Sequence, residues 1–264
     1  MSVSISRRGF FGSIPAAPWL FSLQAPAAGP VASPGDGFPA HDPDVVREVV
    51  GASHANLARV KELVTARPAL ARASWDWGYG DWESPIDAAS HVGNRAIADF
   101  LLGHGARPTI FTAAMMGQLA IVKGWIEATP GVQRQRGPHG LTLVHHARAG
   151  GAPAADVVKY LESLGDADPR YTDLPLTDAE YASIAGDYSY GSGTTERLTV
   201  AKSTRGAPTI ARTGRNQQIL FHHGALVFNT SGAEAVKVRF EVAGGKAAAV
   251  VVEDGPLVVR ATRL

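Results

Sequence analysis

SPIDAASHVGNRAIADFLLGHGARP, residues 84–108, is read as two short helices joined by a tight turn. Ser84 is suited to cap a helix and Pro85 to occupy its first turn. Ile86 and Ala89 then share one face, and Gly93 supplies the left-handed residue that ends the helix. Ile97, Phe100 and Leu101 follow at i, i+3, i+4 spacing, the stripe of a second helix, and Gly105 closes it. Each helix has one apolar face and is too short to be stable alone, so the pair needs neighbours.

Neighbours of the same design surround it. TAAMMGQLAIVKGWIEATP, 112–130, keeps the alanines, Gly117 and Ile121-Val122 but lacks a Thr-Pro start. GLTLVHHARAGG, 140–151, has Gly140, Thr142, His145, Ala147 and Gly151 in matching positions, and VVKYLESLG follows about two residues late. A degenerate unit, ASHANLARVKELVTARPAL, puts Asn56 at the glycine position, where asparagine tolerates the left-handed conformation next best. The pattern resembles the ankyrin repeat, G-x-T-P-L-H-x-A-A-x-x-G…I-V-x-L-L-L-x-x-G-A, with Ser84-Pro85-Ile86, Ala89, Gly93, Ile97 and Gly105-Ala106 in register and Asp87 where that family prefers histidine. The resemblance implies an all-α ankyrin solenoid of about four repeats over residues 42–169, whose finger loops and inner helices bind proteins.

The character of the chain changes in DPRYTDLPLT, where Pro169 and Pro175 break helical patterns. Residues 170–176 read as a linker. Beyond it, Thr177 and Glu180 form a capping box, and short β-branched runs alternate with glycine turns. VKVRFEV, 236–242, alternates Val236, Val238, Phe240 and Val242 against Lys237, Arg239 and Glu241. Gly244-Gly245 and Asp254-Gly255 read as hairpin turns. About eight strands of this kind predict a small antiparallel β-barrel or strongly curved sheet over 177–264. Leu176-Thr177, Glu180, Ala185-Gly186, Tyr188 and the terminal Ala261-Thr262-Arg263-Leu264 resemble the lipocalin-like domain that follows exported serine-hydrolase domains. The whole chain is thus expected to be a multidomain protein, an α solenoid followed by a β domain.

Residues 1–32 read as an address. Arg7 and Arg8, with Ser6 before and Phe10 and Phe11 after, resemble the twin-arginine export signal. The following SIPAAPWLFSLQAPAAG is apolar but interrupted by Pro15, Pro18 and Pro26, too broken for a membrane span. Ala25-Pro26-Ala27 and Val31-Ala32 are cleavage candidates. The resemblance implies export of a folded chain to the periplasm or beyond. The chain has no cysteine, which excludes disulfides, Fe–S clusters and thiolate zinc sites. Its net charge of +1 offers no electrostatic footprint for nucleic acid or an anionic membrane.

Catalytic motifs are missing. There is no Ser-x-x-Lys, no Gly-x-Ser-x-Gly and no phosphate-binding glycine loop; Gly191-Ser192-Gly193 is too short for a nucleophile elbow, and Thr199-Val200-Ala201-Lys202 falls in a strand pattern. Among 9 histidines no His-Glu-x-x-His occurs. His145 and His146 diverge on a helix, and His222 and His223 point to opposite faces of a strand. The histidines are therefore read as isolated or structural, with no metal and no cofactor expected. The unusual stretch is WDWGYGDWES, 75–84, with three of the 5 tryptophans; Trp125, on a helix, is expected in the core. Trp75, Trp77, Tyr79, Asp81, Trp82 and Glu83 are the candidate partner-binding residues. Three readings stay open: rings folded back onto the core, a protein-binding hot spot, or rings and acids that hold a sugar. The expectation is an exported, non-enzymatic protein-binding chain. The alternatives are a binder of a small apolar molecule or sugar in the barrel or at the aromatic finger, and an enzyme with an unrecognised site.

Overall fold

The structure, a computed structural model, describes residue 37 and residues 39–264. The twin-arginine stretch and its cleavage candidates lie outside the described residues.

Eight helices come first: α1 (Pro43–Ala52), α2 (Leu57–Ala66), α3 (Pro85–His91), α4 (Arg95–Gly103), α5 (Ile110–Met115), α6 (Leu119–Ala128), α7 (Leu143–Ala149) and α8 (Ala155–Leu164). Their starts obey capping chemistry: Asp42, Asn56, Ser84, Asn94, Thr109 and Thr142 each accept a first-turn amide with the side chain. Consecutive helices pack in twos, and α3 also packs on α1, α5 and α7. Val49, Val60, Ile86, Ile97 and Leu101 form one core, and Ile110, Val122, Leu143, Val157 and Leu161 a second. The helices approach closely where a side chain is missing. Gly93 has φ +74°, and a Cβ there would meet the Ala149 carbonyl. Asp87 joins two helix starts, accepting Ser84 Oγ at 2.6 Å and Thr109 Oγ1 at 2.9 Å.

The expectation of an all-α ankyrin solenoid over residues 42–169 is corrected. No such solenoid is present among the described residues, which form a mixed α and β protein with nine helices alongside a closed barrel. Between α2 and α3 the chain runs as a 3₁₀ turn (Pro68–Arg72) and then as an antiparallel ladder of β1 (Trp75–Asp76) and β2 (Trp82–Glu83). Further 3₁₀ turns interrupt the helical pattern at Val132–Arg134, Pro138–Gly140 and Ala152–Ala154. The alanine and glycine punctuation specifies helix pairs, but it is silent on what the intervening segments do. Trp125, expected in the core, is partly exposed.

After α9 (Asp178–Ile184), with the capping box of Thr177 and Glu180 in place, come β3 (Gly186–Ser189), β4 (Arg197–Lys202), β5 (Pro208–Arg212), β6 (Gln218–Gly224), β7 (Val227–Thr230), β8 (Ala233–Ala243), β9 (Lys246–Asp254) and β10 (Leu257–Arg263). All neighbours are antiparallel, and β10 pairs with β3 to close an eight-stranded barrel. Gly244-Gly245 makes the β8–β9 turn. Val236, Val238 and Phe240 face inward as their alternation requires, whereas Val242 is 48% exposed. A register shift between Glu241 and Val242 turns it out, because a bulge reverses the side-chain period. Tyr188, Ile210, Leu220, Phe228, Phe240 and Ile184 of α9 fill the interior. Arg263 ties α9 to the barrel, donating to the carbonyls of Ser183, Ala185 and Ala247.

The helical part and the barrel meet through Tyr171. Its ring stacks on Phe221 at 4.1 Å and lies under the Arg136 guanidinium. Its hydroxyl donates to Glu234 at 2.8 Å and accepts from the Gly232 amide. No helix among the described residues is long and apolar enough to cross a membrane.

Candidate functional site

The β1–β2 hairpin is the centre of the site, and its sequence explains its shape. Asp76 Oδ1 accepts the amides of Gly78 and Gly80, at 2.8 and 3.1 Å, which curls the loop over its own side chain. Gly78, Tyr79 and Gly80 all have positive φ. Two glycines take that conformation freely, but Tyr79 is strained there. Its ring is held by packing against the barrel core, and burial, with Tyr190 nearby, pushes its hydroxyl up to about 12.

The six sequence candidates divide into two groups. Trp75, Trp77 and Tyr79 are half-buried and Trp82 is 61% exposed. With Tyr190 of the barrel they border a cleft of about 750 Å³ between the hairpin and the barrel rim, which Arg212, Arg215, Asn216 and Gln218 also line. The Arg215 guanidinium lies 5.9 Å from the Trp75 ring centroid. Asp81 and Glu83 are each 1% exposed and turn the other way.

These two acids meet three histidines. Glu83 Oε1 lies 3.0 Å from His91 Nε2 and 3.3 Å from His139 Nε2, and Glu83 Oε2 lies 3.6 Å from His54 Nε2. His54 follows α1, His91 ends α3, and His139 sits in the 3₁₀ turn before α7 at φ 60°. Asp81 holds His139 twice, accepting its amide at 2.7 Å and facing its Nδ1 at 2.8 Å. Trp77 Nε1 donates to Glu83 Oε2 at 2.7 Å, so one ring borders both the cleft and the cluster.

The electrostatics follow from this crowding. Burial alone would raise the Glu83 carboxyl, but its contacts with His139 and His91 outweigh that and hold it at about 2. Burial alone would lower His139, but Asp81 and Glu83 carry it up to about 10. His146, fully buried against Phe111, goes the other way: burial, with His91 and His145 adding to it, lowers its imidazole to about 3.

Among the described residues, His54, Glu83, His91 and His139 form a donor set able to surround a cation, with ligand atoms all within 4.8 Å of one another. The sequence reading names Glu83 but leaves the three histidines separate. They come from three distant segments, and no local spacing announces that the fold brings them together.

No family model matches the chain, and no curated protein matches it. Among solved structures, one titled "Crystal structure of SurE" shares 22% identity over 45% of this chain and 28% of that chain. Its TM-score is 0.25, too low to carry either a fold or an activity across.

Proposed function

We propose that this chain is a non-enzymatic binding protein whose ligand is a small, flat, largely apolar molecule bearing an anionic or hydrogen-bond-accepting group. One observation carries the reading: aromatic rings from the hairpin and the barrel border a single cleft of about 750 Å³ with Arg212 and Arg215 among its polar lining. That size and that mixture, apolar walls with a few polar groups, are those of small-molecule sites. The rings supply contact area and the guanidiniums supply orientation. The barrel interior is filled by its own side chains, which moves the ligand from inside the barrel to its rim. The inward turn of Asp81 and Glu83 removes the acidic half of the finger from any partner surface. The twin-arginine resemblance of residues 6–11 supports binding outside the cytoplasm.

The test is a fluorescence titration with an anilinonaphthalene sulfonate, an aromatic anion. Saturable one-to-one binding is expected, weakened about tenfold or more, some 1.4 kcal/mol, in Trp75→Ala and in Arg215→Ala, each checked for folding by circular dichroism. Unchanged binding in both folded variants contradicts the proposal.

A further inference from the structure

We propose that His54, Glu83, His91 and His139 bind one divalent ion of the zinc class, in a site closed by four protein ligands. Borderline nitrogen and oxygen donors without thiolate are suited to zinc and to cobalt(II). Bonds of about 2.0–2.2 Å in a tetrahedral shell put neighbouring donor atoms about 3.3–3.6 Å apart. Glu83 Oε1 lies 3.0 and 3.3 Å from the Nε2 atoms of His91 and His139, around that spacing, and the ligand atoms of all four residues lie within 4.8 Å of one another. A cation drawn between these atoms would pull them together by about an ångström where they stand furthest apart.

The surroundings argue the same way. A histidine ligates through one nitrogen when its other N–H is held by a fixed acceptor. His54 Nδ1 lies 3.0 Å from the Gly51 carbonyl and His139 Nδ1 lies 2.8 Å from Asp81 Oδ2, so in each ring Nε2 is left to face the centre. Trp77 occupies Glu83 Oε2 and leaves Oε1 for the ion. Glu83 Oε1 and His91 Nε2 are buried without a well-formed hydrogen bond to any other group. Unpaired buried polar atoms are costly, and these two face each other inside the cluster. The backbone of His139 is in the left-handed region, an uncommon place for a non-glycine residue, and the Asp81 carboxylate holds it there.

An ion in this position would join the α1–α2 turn, the hairpin, the end of α3 and the segment before α7. Four protein ligands leave no open position, so its role is to fix these segments together. Because Trp77 links Glu83 to the cleft, the ion would also fix one wall of the cleft.

The competing arrangement is an ion network without metal, in which a protonated His139 bridges Asp81 and Glu83. Untagged full-length protein is stripped with chelator and titrated calorimetrically with zinc chloride. Cobalt(II) is added in parallel and its visible absorption recorded. The expected result is one equivalent of zinc and an intense tetrahedral cobalt band. Zinc affinity should fall more than about 100-fold in His91→Ala, and about 10–100-fold in Asp81→Asn, the range for loss of a ligand's outer partner. Glu83→Gln, close in shape, should lose the cobalt band and covers the case in which His91→Ala does not fold. His145→Ala, whose ring contacts the His91 carbonyl but offers the centre no atom, should bind as the wild type does. No stoichiometric zinc in the wild type, or an affinity unchanged by both Glu83→Gln and Asp81→Asn, overturns the proposal.

Discussion

At the scale of single residues, burial decides chemistry here, and His146 shows it most simply. Its ring is fully buried and neither nitrogen has a hydrogen-bond partner. Charging it inside the fold is unfavourable, which is why it titrates at about 3. In the unfolded chain it titrates near 6.5. Between those values the unfolded state binds the extra proton, so stability rises with pH; the contribution is full above about 6.5 and is lost as pH falls toward about 3. Within that window the slope is about 1.4 kcal/mol per pH unit. His146→Leu should remove that part of the slope. Urea denaturation of both proteins from pH 4 to pH 7 measures it, and identical slopes would contradict the assignment. The same scale shows what a sequence hides. The separation of His145 from His146 is legible, since adjacent helical positions diverge. The meeting of His54, His91 and His139 is not, because it depends on where three separate segments dock.

At the scale of elements, close packing of small residues sets the helical part. Gly93 and Gly105 both have positive φ, so alanine is strained at either. Only at Gly93 would the new Cβ strike backbone, the Ala149 carbonyl; at Gly105 nothing lies within 4 Å. Gly105→Ala should therefore cost about 1 kcal/mol, the conformational penalty alone. Gly93→Ala should cost clearly more, about 3 kcal/mol. Thermal and urea denaturation of the pair test this, and equal losses would mean that the contact with α7 is unimportant. Helix starts are readable because capping chemistry is local: Ser84 and the Thr177–Glu180 box cap as their sequence suggests. The turn at Gly244-Gly245 was readable for the same reason. The bulge that turns Val242 outward was not, since the alternation of VKVRFEV continues through it.

At the scale of the whole molecule, the error of an all-α solenoid has a physical origin. Alanine stripes and glycine ends report helix pairs, but a segment such as WDWGYGDWES carries aromatic and glycine signals that suit a strand hairpin equally well. That hairpin pairs with itself, packs Tyr79 on the barrel and directs Asp81 and Glu83 at histidines of the helical part. It places the candidate site where the helical part and the barrel meet. An antiparallel barrel or curved sheet is legible in the sequence because turns and alternation recur along it; its closure, through β10 on β3, is not. The cleft is not legible, because its walls come from both halves of the chain. A crystal structure of the protein with the anilinonaphthalene sulfonate bound would locate the ligand outright. Its aromatic rings should lie against Trp75 and Tyr190, with the sulfonate directed to Arg215. A dye found inside the barrel or elsewhere on the surface, with the cleft unoccupied, would contradict the proposal.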